Sequence, residues 1–440
     1  MSARQIVIRL LEQWNSTDTY ADILLDRFFK EKKIKSSDRA LVQEIFFGVI
    51  RWQNQLNWII EHFFQGNIGR APRFIRYILQ SGIYQLLYLQ KVPDYAIVNE
   101  AVRLARKRGG NFWARKVNAI LRNFIRNSEQ IVYPDSEKEI ADFIAVRYSH
   151  PRWLVDRWLK RWGADETIAL CQKNNERPAV SLRINQLRIA QQEMTDFLLK
   201  QGVEFSQVED MPDFFQISSF QEIGHSEFFR KGYFSVQDAS AGLACRLLAP
   251  QPNEQIVDLC AAPGGKSSYL LELSQGKATV LSADINFQRL QLVKQNLARL
   301  NFPTNRLIQV DAANFASQRA DKILIDAPCS GLGVLSKRVD LRWRRTVDEM
   351  QELPNLQFSI LENAAKLIQS GGVIVYATCT IEPEENELVV QKFLEIHQEF
   401  EIDNAGKYVP DRFVSGKGWV QTYPHRHGVD GSFAVRLKRK

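Results

Sequence analysis

The chain reads as a multidomain protein: an all-α N-terminal domain over residues 1–130, a small α+β module over 140–231, and an α/β domain with a Rossmann-like, mostly parallel doubly wound sheet over 232–440. Three features predict this. Apolar residues recur at three- and four-residue steps through residues 1–127. A polar stretch, YPDSEKE at 133–139, then breaks the pattern. After Gly232, short apolar runs alternate with helical stretches.

In the first part, LVQEIFFGVIRW (41–52), RFIRYILQSGIYQLLYL (73–89) and IVNEAVRLARKRG (97–109) carry the helical spacing. Pro93 and Asp94 separate the second helix from the third. The third is expected to stop at Gly109-Gly110, where a left-handed C-cap favours glycine. In the middle part, PRWLVDRWLKRWG (151–163) predicts an amphipathic helix and VSLRIN (180–185) a strand.

The last part offers IVDLC (256–260), TVLSADI (279–285), RLIQVDA (306–312), KILIDAP (322–328) and GGVIVYATC (371–379), with GSFAVRLKRK (431–440) as a further strand. Strand and helix in alternation imply a parallel sheet covered on both faces.

Composition narrows the function classes. Hydrophobic residues make up 45% and charged residues 25%, which excludes a disordered chain. No segment supplies the ~18 apolar residues of a membrane span, and the expectation is a cytoplasmic protein without a membrane partner. Five cysteines (Cys171, Cys245, Cys260, Cys329, Cys379) form no C-x-x-C pair, so reduced thiols are expected. His425 and His427 have no third ligand nearby in the sequence, and no metal is expected.

The net charge of +8 is concentrated: residues 70–126 hold twelve Lys/Arg against two acids, Asp94 and Glu100. Here Arg103, Arg106, Lys107, Arg115, Lys116, Arg122 and Arg126 are interleaved with Phe112, Trp113 and Phe124. That imbalance is too large for alternating surface ion pairs and predicts a polyanion-binding face, with RNA as the partner.

Ligands of a doubly wound sheet bind beyond the carboxyl ends of its strands. The first strand runs into Cys260-Ala261-Ala262-Pro263-Gly264-Gly265-Lys266 and a helix, a glycine turn that matches neither the dinucleotide fingerprint nor the phosphate loop. Asp284 ends the second strand, where a carboxylate can accept both hydroxyls of a ribose. Asp311 ends the third, within reach of an adenine amino group, and Asp326 ends the fourth. Three aspartates closing consecutive strands after a glycine turn point to an adenosine-type cofactor.

The fourth strand continues as Asp326-Ala-Pro-Cys329 and the fifth as Tyr376-Ala-Thr-Cys379, so two cysteines leave neighbouring strands in one crevice. A buried structural thiol is the ordinary fate of either alone; the pair beside Asp326 points to chemistry. Cytosine C5 is a poor nucleophile until a group adds at C6, for which a thiolate is suited, and a carboxyl group can hydrogen-bond N3 and N4 as charge develops. The acids Glu382, Glu384, Glu385 and Glu387 would oppose ionisation of Cys379 unless a helix N-terminus or Lys266 lies close.

At these residues the chain resembles the RNA cytosine-C5 methyltransferases. DLCAAPGGK, DAPCSGLG and YATCTIEPEENE are similar to that family's cofactor loop, proline-cysteine motif and threonine-cysteine motif. SSDRALVQEIFFGVIR and VPDYAIVNEAVRLARKRGGNFWARKVNAILRNF resemble a NusB-like RNA-binding domain, and FRKGYFSVQDASAGLACRLLAP resembles the entry to the catalytic domain. Together they match the family's branch that modifies bacterial 16S ribosomal RNA.

The resemblance implies S-adenosyl-L-methionine as cofactor and a 16S rRNA cytosine as substrate. It implies Cys379 as nucleophile, and Cys329 in resolving the adduct. It further implies cofactor contacts from Cys260 through Lys266, Asp284, Asp311 and Asp326, with Asp326 and Lys266 also serving the base. Two positions depart from the family pattern: Val339 stands where many relatives have proline, and DGSF (430–433) replaces DGFF. A transfer RNA target, or a NusB-like binding or assembly factor without activity, are the alternative readings.

Overall fold

The computed structural model describes residues 1–440 apart from 33, 65, 219–222, 225, 317 and 318. The chain packs as two units, Met1–Glu176 with Leu335–Arg344, and Arg177–Val334 with Arg345–Lys440.

The first unit is helical. Its apolar stripes form the helices Ser36–Arg51, Arg73–Tyr88 and Asp94–Asn127, which share a core that includes Phe46, Ile75, Ile83, Leu104 and Leu121. The double glycine does not end the third helix for good. Gly110 takes φ 76° and ψ −171°, and a second helix starts at once across the kink. The kink resets the helical phase, so that Phe124 is buried and Trp113 packs against the core, whereas Phe112 is 60% exposed.

The helices Ile140–Arg147 and Arg152–Asn175, the second of which covers the amphipathic helix expected over 151–163, pack with this unit. Side-chain amides hold them there: Asn54 Nδ2 donates to the His150 carbonyl at 2.9 Å, and Gln55 Nε2 to that of Arg147 at 3.1 Å.

The segment 335–344 also joins the helical unit although it follows the proline-cysteine motif in sequence. The Asp340 carboxylate accepts the Ala21 backbone N–H (2.8 Å) and the Trp14 indole N–H (3.4 Å). Arg342 is fully buried and donates to the carbonyls of Ser149 (3.2 Å) and Asn174 (3.1 Å) and to Asn175 Oδ1 (2.7 Å). Val339, the departure from the family's proline, is 1% exposed and lies in the helical core.

The second unit contains two sheets. The smaller is antiparallel, made of β1 (Val180–Ile184), β2 (Phe205–Val208), β3 (Met211–Ile217) and β4 (Phe234–Val236) in the order β2-β3-β1-β4. With the helix Gln191–Lys200 over it, this is the small α+β module.

The larger sheet comprises β5 (Gln255–Leu259), β6 (Thr279–Asp284), β7 (Leu307–Gln309), β8 (Ala320–Asp326), β9 (Ile368–Thr378), β10 (Phe400–Ile402), β11 (Val420–Thr422) and β12 (Ser432–Arg439). Its order is β10-β12-β9-β8-β5-β6-β7, with β11 paired to β12. The run from β9 to β7 is parallel, while β10, β11 and β12 are antiparallel.

Alternate residues feed two cores. Ile256, Leu324 and Val375 pack with Leu270 and Val293, and Val257, Ile323 and Ile374 pack with Leu361 and Phe393. Apolar residues on both faces make the strands continuous hydrophobic runs, as parallel strands under helices require. From β5 the chain winds outward to β6 and β7, then returns to β8 and β9 on the other side. The gap between the carboxyl ends of β5 and β8 is therefore the switch point, where such sheets bind ligands. No helix among the described residues is long and apolar enough to cross a membrane.

Candidate active site

Strand register assembles the site. Leu259 pairs with Ala283 on one side and Ile325 on the other, and Asp326 pairs with Ala377. Asp284, Cys260 and Asp326 thus leave the sheet side by side, each one residue past that row. Cys329 and Cys379 follow on the loops after β8 and β9, which are held together by the Ala327 N–H donating to the Ala377 carbonyl at 2.9 Å.

Between β5 and the helix Gly265–Leu273 the glycine turn is held by the protein itself. The Ala261 N–H donates to the Ala283 carbonyl (2.9 Å), the Ala262 N–H to Asp284 Oδ2 (3.2 Å), and Asn296 Nδ2 to the Pro263 carbonyl (2.8 Å). Gly264 has φ 97°, and a Cβ there would come within 3.0 Å of the Val293 backbone. Helix packing by itself demands glycine there. Cys260 takes φ 63°, and burial pushes its thiol up to about 12.

Asp284 is 3% exposed, and its other oxygen accepts the Asn286 N–H at 2.9 Å. Asp311 sits two residues past β7, and its carboxylate takes the Ala313 N–H (3.0 Å) and Asn314 Nδ2 (2.7 Å), closing its own turn.

Lys266 Nζ meets Asp326 Oδ2 at 2.6 Å. Burial pulls the ammonium pKa down, but the charge and hydrogen bond of Asp326 more than reverse this, leaving it above the usual lysine range. The Lys266 side chain is thus a fixed cation at the switch point.

Cys329 Sγ and Cys379 Sγ lie 3.2 Å apart, Cys379 exposed and Cys329 half-buried. The Cys329 thiol donating to Cys379 lowers the Cys379 pKa; the packed surroundings and the Asp326 and Glu385 charges oppose this, and the Lys266 charge assists. Cys329 is correspondingly held well above the thiol range, first by that hydrogen bond and then by burial. The other three, Cys171, Cys245 and Cys260, are all raised by burial. Cys379 is the one cysteine of the five whose pKa is lowered.

Sequence reasoning missed the framework behind these thiols. Glu385 is fully buried and spans both cysteine loops: it accepts the Ser330 N–H (2.8 Å), the Ser330 hydroxyl and Gln357 Nε2 (3.0 Å). Burial raises its carboxyl pKa against those hydrogen bonds. Arg345 Nε donates to the Ser330 carbonyl at 2.7 Å and Nη2 to that of Cys329 at 3.3 Å. The Gly333 N–H donates to the Cys379 carbonyl (3.1 Å), and a Cβ on Gly333 would lie 2.0 Å from the Gly431 carbonyl oxygen. In the DGSF departure, Ser432 Oγ shares a 2.9 Å hydrogen bond with Thr422 Oγ1. The hint for Glu385 was a run of acids directly after a cysteine, read only as a source of repulsion.

On the helical unit, Arg106, Lys107 and Arg115 are exposed and have no ion-pair partner among the described residues. Arg108 pairs with Glu12 at 2.8 Å and lies over the Phe74 ring, Arg103 pairs with Glu100 at 2.7 Å, and Lys116 lies 4.1 Å from the Phe64 ring centre.

Among known families, residues 245–438 match the model described as 16S rRNA methyltransferase RsmB/F, residues 1–126 match the NusB family, and residues 150–223 match the ferredoxin-like domain of RsmF/B-like methyltransferases. The chain is 34% identical to the probable ribosomal RNA small subunit methyltransferase B of Synechocystis sp., covering 100% of both chains. It is 32% identical to the protein so named in Bacillus subtilis (strain 168), covering 100% of this chain and 99% of that one. The crystal structure of PH0851 superposes with a TM-score of 0.81 at 25% identity, over 99% of this chain and 98% of that one.

Proposed function

Because the chain belongs to the RsmB/F family of 16S rRNA methyltransferases, we propose that it methylates C5 of a cytosine in 16S ribosomal RNA through a covalent adduct between Cys379 and C6. The observation that carries this reading is the cysteine pair, 3.2 Å apart, in which Cys379 is lowered and Cys329 raised.

S-adenosyl-L-methionine fits the residues at the strand ends. The buried Asp284 carboxylate, which accepts two backbone N–H groups and lies 3.7 Å from the Arg289 guanidinium, suits a ribose diol; the turn from Cys260 to Lys266 lines the same end, and Asp311 and Asp326 flank it. When bound, the cofactor supplies an electrophilic methyl group on sulfur. Asp284→Ala is expected to weaken S-adenosylmethionine binding by about 1.5 to 3 kcal/mol through loss of charge-assisted hydrogen bonds. Calorimetry giving wild-type affinity would remove Asp284 from the site.

The chain's own residues supply the rest. The Cys379 thiolate adds to C6, which makes C5 enamine-like and able to take the methyl group. Asp326, held by Lys266, faces N3 and N4 of the base as charge develops there. With Cys329 assisting this breakdown of the adduct, the C5 proton passes to water, its bonding electrons re-form the C5–C6 double bond, and the C6–S bond breaks to return the Cys379 thiolate. The target base must leave its stack to reach the thiolate.

The basic face carrying Arg106, Lys107 and Arg115 contributes RNA affinity through phosphates. Reversing all three to Glu is expected to weaken RNA binding and flatten log K against log salt by about 0.7 to 0.9 per lost contact, with cofactor affinity unchanged. An unaltered slope would place the RNA surface elsewhere. The function itself is tested by bisulfite sequencing of RNA from cells with and without the protein. A 16S cytosine protected only in its presence is expected; protection confined to transfer RNA, or none, overturns the reading.

A further inference from the structure

The α+β module and the cofactor turn are tied by one buried side chain. Arg183, on β1, is 0% exposed, and each of its five N–H groups has an acceptor. Nη1 donates to the Gly265 carbonyl (2.9 Å) and to Gln237 Oε1; Nη2 donates to Ser268 Oγ (3.0 Å) and Glu272 Oε1 (2.6 Å); Nε donates to Glu272 Oε2 (2.9 Å). Its guanidinium also lies 4.5 Å from the Tyr269 ring centre. Gly265, Ser268, Tyr269 and Glu272 form one face of the helix Gly265–Leu273, so the arginine grips its first two turns. A second tie runs from β3, where Asp213 accepts the Tyr269 hydroxyl and Phe214 packs edge-on against that ring at 5.7 Å.

We propose that Arg183 is a positioning residue that fixes the helix bearing Gly265 and Lys266, making the α+β module part of the frame of the cofactor site. An arginine fork matches a carboxylate at two points and still has donors to spare. A lysine could satisfy the Glu272 charge but not also reach Gly265, Gln237 and Ser268. Lys266 follows Gly265 directly and carries the pair with Asp326, so rotation of the first turn would move both the cofactor loop and the cation near Cys379. By linkage, cofactor binding must in turn stiffen β1.

The proposal rests on S-adenosylmethionine binding at the strand ends, and the test separates the two. Arg183→Met alone strands the buried Glu272 charge and is expected to lower Tm sharply. The double variant Arg183→Met/Glu272→Leu removes both charges, which is often neutral for stability. It is expected to melt near wild type yet bind S-adenosylmethionine at least tenfold more weakly, and Arg183→Lys is expected to fold and show the same loss. In the wild-type protein, adding S-adenosylmethionine is expected to slow amide exchange in Val180–Ile184. Wild-type affinity in any folded variant, or no protection of Val180–Ile184 on binding, overturns the positioning role. Absence of binding to the wild-type protein overturns the cofactor reading instead.

Discussion

Cys379→Ala is expected to abolish methyl transfer, a loss on the order of 10⁴-fold or more as for other covalent nucleophiles, and to form no adduct with RNA containing 5-fluorocytosine. Cys329→Ala is expected to lose about 10² to 10⁴ in turnover, the scale of general acid–base catalysis, while a denaturation-resistant RNA complex accumulates. The 3.2 Å contact adds a pH signature. Removing the Cys329 donor takes away the first cause of the lowered Cys379 pKa. Adduct formation in Cys329→Ala should therefore slow at neutral pH and recover as pH rises, its midpoint lying above that of wild type. Gel-shift of crosslinked RNA across pH reads both effects. Trapping by Cys379→Ala with none by Cys329→Ala would exchange the two roles.

Asp258→Asn is expected to remove a large pH dependence of stability. Asp258 is fully buried on β5, one oxygen held by the Ser267 hydroxyl and the other without a partner. Burial pushes its carboxyl pKa up to about 7, with the Asp326 and Asp284 charges adding to the rise and Ser267 and Lys266 opposing it. A carboxyl whose folded pKa exceeds its unfolded value binds more protons when folded, so its contribution is complete below the unfolded pKa and is lost as pH climbs through the folded one. The window is about pH 4 to 7, and the loss is about 4 kcal/mol at 1.36 kcal/mol per pKa unit. Denaturation measured at pH 4.5 and 8 should show wild type losing stability over this interval by several kcal/mol more than Asp258→Asn. Equal changes in the two proteins would show that Asp258 ionises as readily as an exposed aspartate.

The strand ends were legible because strand, turn and helix are local patterns. IVDLC followed by a glycine turn locates Cys260 and Lys266 from a dozen residues, and parallel pairing then brings Asp284, Asp326 and Cys379 to one end of the sheet. What stayed hidden depends on partners distant in sequence. Glu385 meets Ser330 across 55 residues, and Arg183 meets Glu272 across 89. Nothing in VSLRIN marks its arginine as buried, since alternation alone assigns it to a solvent face. The helices Ile140–Arg147 and Arg152–Asn175 pack with the helical unit through the amides of Asn54 and Gln55, which lie far upstream and leave no mark in the sequence around the helices themselves. In the basic stretch, Gly110 breaks the helical phase, so three aromatics that look alike in sequence divide into Phe112 in solvent and Trp113 and Phe124 against the core.

The short segment 335–344 constrains how this protein can change over evolutionary time. The polypeptide passes between its two units at 176–177, at 334–335 and at 344–345, so the helical unit is not a contiguous stretch of gene. Recombination that replaced only the first 176 codons would import helices with no inherited match for Val339, Asp340, Arg342 and Trp343, whose partners are Trp14, Ala21, Ile50, Ser149 and Asn174. A donor lineage must supply two separate pieces of coding sequence together or neither. The helical unit is thereby bound to its own catalytic chain by descent, and cannot be traded as a free cassette.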